Sequence, residues 1–171
     1  MRLHLAPLLL LITAAPALAQ EVLGTIEARV EDTFRTWHLT RDGDQSQSRW
    51  AEMMPGLTDV SLWGHDSPDS ATSVAGAMIL DFDVMTTTGT PMAIGPTLQY
   101  LTEGYKGGWL ATDDSQIAVT LETFDATAAG LKIAGSFTAT LTYSTNPFTQ
   151  TMDPTRSQTI EGRFDATLPK D

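Results

Sequence analysis

From Val22 onward, apolar and polar side chains alternate at period two in one segment after another, the spacing of half-buried β-strands. In the first segment Val22, Gly24, Ile26, Ala28 and Val30 share one face, and Glu27 and Arg29 take the other. Phe34 to Thr40 follows as its hairpin partner across Glu31-Asp32, and the Asp42-Gly43 step has turn chemistry. Further strands are predicted over Thr58–Gly64, Val74–Val84, Thr97–Thr102 and Trp109–Thr112. The clearest three are Ile117–Ala126, Leu131–Tyr143 and Gln158–Leu168. Met85–Pro96, rich in Thr, Gly and Pro, reads as a loop, and Gly104–Gly108 as a hairpin end. Helix is confined to a turn or two over Gln47–Met54, ahead of Pro55-Gly56. A parallel sheet needs long crossover helices, and no sustained 3.6-residue stripe offers one. The pattern predicts an all-β fold: a single antiparallel β-sandwich of about eight strands, with a closed calycin-like β-barrel as the alternative.

One motif recurs. Gly24-x-Ile26-x-Ala28-x-Val30, Gly135-x-Phe137-x-Ala139-x-Leu141 and Gly162-x-Phe164-x-Ala166-x-Leu168 all place small and large side chains alternately on one face. Small inward positions leave room for bulky side chains of an opposing layer, so these three strands are expected at the centre of the fold. The N-terminal one is expected beside the C-terminal pair. Spacing between copies is irregular, which excludes a repeat array.

Residues 1–19 break the alternation. A basic start at Arg2, an apolar run from Leu5 to Ile12 and the small-residue ending Ala17-Leu18-Ala19 are the three parts of a secretory signal, cleaved before Gln20. The apolar run is shorter than the roughly 20 residues that a spanning helix needs. No later stretch is apolar enough for a transmembrane segment, and the absence of Cys excludes anchoring by a lipidated cysteine. What remains, residues 20–171, is one domain with enough chain to bury a core without disulfides. Its compartment is expected to be periplasmic or extracellular. A net charge of −11 makes nucleic acid and anionic membrane poor partners.

Catalytic and metal chemistry find little footing. Once the leader is set aside, His38 and His65 are the histidines left, in neither H-x-H nor H-x-x-x-H spacing, so no metal site is predicted. Calcium is a weak possibility: Asp42, Asp44 and Ser46 alternate as in a calcium loop, but Gln47 and Met53 stand where Gly and Glu belong. Asp113-Asp114 and the pair Asp81, Asp83 read as a solvated turn and a solvated strand face. There is no G-x-S-x-G elbow, no Cys nucleophile and no carboxylate pair marked by an apolar setting. The chain is accordingly expected to be no enzyme and to carry no cofactor, and a hydrolase with a site outside known motifs is kept as an alternative.

Four tryptophans change the picture. Trp37 shares a face with Leu39 and reads as core, whereas Trp63 lies opposite Val60 and Leu62, beside His65. Trp109 follows the glycine hairpin that carries Tyr105. Flat aromatic faces among carboxylates and amides grip sugars or proteins. The candidate binding residues are therefore Trp63, His65, Asp66, Tyr105 and Trp109. The Gly-x-Phe-x-Ala-Thr-Leu strands and the terminal Gly162-Arg163-Phe164-Asp165-Ala166-Thr167-Leu168 resemble those of many small exported proteins of Gram-negative bacteria. That likeness covers about the last third of the chain and implies a compartment, not an activity. The expected function is a binding or interaction module for a protein or a glycan, with a barrel holding a small ligand as the alternative.

Overall fold

The computed structural model describes residues 20–70, 73–87, 89–113 and 115–170. The export signal assigned to residues 1–19 lies outside the described residues. The fold is nearly all β, one antiparallel sheet with a single 3-10 turn at Pro68–Ser70 among the described residues. Its strands are β1 (Glu21–Val30), β2 (Thr33–Asp42), β3 (Gln45–Ser46), β4 (Arg49–Met54), β5 (Leu57–His65) and β6 (Ala77–Met85). They continue as β7 (Met92–Tyr105), β8 (Gly108–Ala111), β9 (Ile117–Thr127), β10 (Gly130–Asn146) and β11 (Thr151–Pro169). Pairing runs β3-β2-β1-β11-β10-β8-β7-β6-β5-β4, with β9 beside β10 and a further pairing of β2 with β5. That last contact joins His38 to His65 and Leu39 to Gly64.

The three motif strands lie side by side as β1, β11 and β10. Their register sets Ala28, Gly162 and Phe137 in one lateral row, and Ile26, Phe164 and Gly135 in the next. Each row thus holds at least one small residue against a large one. The sequence pattern pointed to filling from an opposing layer. The structure fills the gaps laterally instead: a Cβ at 162 would run into the Phe137 ring, and one at 135 would lie 2.9 Å from Phe164 Cζ. Directly opposed residues stand only about 5 Å apart, so a neighbouring strand's aromatic reaches the glycine first.

Two predicted elements differ. Gln47–Met54 contains strand β4 and no helix, because Arg49–Glu52 pairs antiparallel with Thr58–Ser61 across the Pro55-Gly56 turn, where Gly56 has φ of 84°. The loop assigned to Met85–Pro96 already becomes strand at Met92. A bulge between Val22 and Gly24 also breaks the alternation, turning Leu23 inward and leaving Val22 exposed. The remaining inward positions build one continuous core, including Ile26, Leu39, Leu62, Leu80, Leu98 and Ile133, all fully buried.

Candidate functional site

Because Val60 and Leu62 of β5 face the core, Asp59, Ser61 and Trp63 must face outward. Register then builds the outer surface row by row. Arg49 stands opposite Ser61, and Ser61 opposite Asp81 of β6. Trp63 stands opposite Ile79, and Ile79 opposite Gln99 of β7. Tyr105, at the end of β7, and Pro147, Phe148 and Gln150, in the turn joining β10 to β11, form the other wall. Between the walls lies a groove of about 440 Å³.

Trp63 is fixed from behind. The Ser48 hydroxyl accepts from its backbone N–H at 2.9 Å and donates to its carbonyl at 3.2 Å. Its indole Nε1, in contrast, is buried with no hydrogen-bond partner. A buried N–H left unpaired is costly, by about 1–3 kcal/mol, and rare in folded proteins. Asp81 is the groove's second unusual group. Burial raises its carboxyl above the ordinary value and neighbouring Asp59 raises it further, while a hydrogen bond from Ser61 and the charge of Arg49 pull it back. Opposite these polar groups, Phe148 is 84% exposed and Tyr105 53%.

The structure brings together only two of the five sequence-derived candidates, Trp63 and Tyr105. His65 is buried; its Nδ1 lies 3.1 Å from the Ser73 carbonyl and its Nε2 2.8 Å from the Gln47 side chain. Desolvation lowers its pKa, against the opposing pull of the Ser73 carbonyl and Asp66. Both ring nitrogens are engaged, so neither is placed to activate a nucleophile. Asp66 accepts a hydrogen bond from Ser70 at 3.0 Å. Trp109 packs against the edge of the core and meets Tyr143 edge-on, with ring centroids 5.2 Å apart. The Arg156 guanidinium lies 3.5 Å from the Tyr143 centroid and 5.4 Å from that of Trp109, a separate cation–aromatic stack. Trp50 also packs on the core, donating from Nε1 to the Pro169 carbonyl at 2.9 Å.

Sequence reasoning missed Arg49, Asp59, Asp81, Gln99 and Phe148. Asp81 was assigned to a solvated strand face; the strand face is right, but the groove walls strip away its water. The one available signal was parity, since Asp59 and Ser61 share Trp63's face of β5. Among the described residues no three His, Asp or Glu side chains gather to hold a metal ion, and no helix is long and apolar enough to cross a membrane. Asp44, from the calcium-like spacing, pairs with Arg41 at 3.4 Å. No family model, curated protein or solved structure matches the chain.

Proposed function

We propose that this chain is an exported, non-catalytic binding module that takes a protein or glycan ligand in the groove on its outer face. The observation that carries the reading is the outer groove of about 440 Å³, in which Trp63 and the exposed Tyr105 and Phe148 stand beside Asp59, Asp81 and Arg49. Export to the periplasm or beyond rests on the leader at residues 1–19. For the architecture we favour the closed barrel over the sandwich. The β2–β5 pairs link the path back onto itself through β2, β1, β11, β10, β8, β7, β6 and β5. Large, fully buried side chains crowd the inward positions of those strands, which favours an outer site over an internal cavity.

The test is heteronuclear NMR on the mature chain, following the tryptophan indole resonances during titration with two panels: neutral tetrasaccharides and short peptides. A ligand should move the Trp63 indole and the amides of β5 and β6, and Trp63→Ala should abolish the response. Ligand shifts confined to inward residues such as Leu80 and Leu98 would show the groove reading to be wrong.

A hydrolase is the second reading, favoured by one feature. Glycoside hydrolysis needs one protonated and one ionised carboxyl, and Asp81 and Asp59 lie on adjacent strands with burial pushing Asp81 toward the protonated form. Release of reducing ends from the tetrasaccharide panel, lost in Asp81→Asn, would establish it.

A further inference from the structure

We infer that the outer surface at the Met54 end of β4 to β7 is a site for a soft monovalent metal ion, Cu(I), held by the thioether sulfurs of Met54, Met85 and Met92. None of these methionines lines the groove, so the site stands or falls independently of it.

Strand register assembles the three. Met54 of β4 stands opposite Leu57 of β5, Leu57 opposite Met85 of β6, and Met85 opposite Met92 of β7. Opposed residues share a face of the sheet. Thr58 and Val84, next to Leu57 and Met85 in their strands, are buried, so this row points outward. Directly opposed Met85 and Met92 have Cβ atoms about 5 Å apart. Met54 lies two strands from Met85, about 10 Å away. Three rotatable bonds in each methionine side chain let the sulfurs meet above Leu57. Met53 sits beside Met54 at the bulge in β4, so four of the chain's seven methionines gather at this end.

Packing does not account for them. Met53, Met54 and Met92 are 64%, 59% and 50% exposed, so they fill no gap in the core. β-branched residues suit an exposed strand position better. What a thioether adds there is a soft, neutral donor, which favours Cu(I) over hard cations such as Mg(II) and Ca(II). The chain has no Cys, so thioethers are the only soft sulfur donors it can offer. The next outward row points to a cation on separate grounds. Asp59 and Asp83 stand directly opposite each other, about 7 Å along the strands, and like charges so placed repel. Neutral sulfurs leave the ion its positive charge, and this carboxylate pair balances it through space. A purely apolar partner would gain nothing from such a pair beside it.

The probe is silver(I), a redox-stable stand-in for Cu(I), titrated in chloride-free buffer into the mature chain labelled with carbon-13 at the methionine methyls. The methyl resonances of Met54, Met85 and Met92 should move together and saturate at one equivalent, while those of buried Met78 and of Met152 on β11 stay in place. Met92→Leu keeps the surface apolar at an exposed position, where folding is not at risk, and should weaken silver(I) about tenfold or more. Met85→Leu combined with Met92→Leu should abolish saturable binding. Cu(I), held reduced by ascorbate under anaerobic conditions, should displace silver(I), and Zn(II) should leave the methyls unmoved. If silver(I) moves Met152 as readily as Met92, or never saturates, the result is an adventitious ion only and the inference fails. Equal affinity in Met92→Leu and wild type would overturn it too, as would methyls that silver(I) leaves unmoved. The same shifts with Zn(II) would show that the carboxylates, and not the sulfurs, select the ion.

Discussion

At the scale of single residues, Gly162 shows how tightly a position can be set by its neighbours. A Cβ there would overlap the Phe137 ring on one side and the Glu27 carbonyl, 2.6 Å away, on the other. Gly162→Ala should therefore destabilise the fold by about 1–3 kcal/mol, read as a fall in the urea midpoint. Phe137→Leu in the same chain should recover part of that loss, because the two sites share one space. Asp81 supports a prediction of a different kind. Its carboxyl titrates above the ordinary value of 3.8, chiefly through burial, so the folded chain holds the proton more tightly than the unfolded chain does. Stability then falls as pH rises from 3.8 through the folded-state value, and stays lowered above it. Asp81→Asn removes the buried charge and should melt higher than wild type near pH 7. The gap should close near pH 3, and a gap independent of pH would contradict the assignment.

At the scale of elements, strength is distributed unevenly along the sheet. β10 and β11 pair from Gly130–Pro169 to Asn146–Thr151, whereas β2 meets β5 at two residue pairs only. Packing at that short seam is close, since a Cβ at Gly64 would lie 2.7 Å from Trp37 Cβ. Amides bonded across the seam, around Leu39 and Gly64, should exchange with deuterium well before those of Ile133 to Leu141, because local opening there breaks few bonds. Uniform protection around the sheet would show the seam to be no weaker than the rest. The same contrast explains what could be read from the chain. β1, β10 and β11 were legible because long alternation fixes both face and partner. β4 was not, because Arg49-Trp50-Ala51-Glu52 has few apolar positions to register a period and all but Trp50 are exposed. The Leu23 bulge and the β2–β5 seam were also hidden, since each depends on register between distant segments. The candidate site suffered most: Trp63 and Tyr105 were visible as isolated aromatics, but their company with Asp81, Gln99 and Phe148 follows from strand pairing alone.

At the scale of the whole molecule, the proposed barrel would be solid, and its interior would be the place for a core and not for a ligand. Phe82 is 2% exposed and leans on Phe164 with ring centroids 5.8 Å apart, so two strands distant in the sheet meet through the middle of the protein. Phe82→Ala should destabilise the fold by about 3–5 kcal/mol and leave an apolar void. Such voids stay dry and admit benzene or xenon. Benzene should therefore raise the melting temperature of Phe82→Ala and leave wild type unchanged, since only a state with room for it gains from mass action. Leu98→Ala, at another fully buried position, offers the same contrast should the phenylalanine variant fail to fold. Stabilisation of the wild-type chain by benzene would reveal room inside, and would move the ligand site from the outer groove to the interior of a small-ligand barrel.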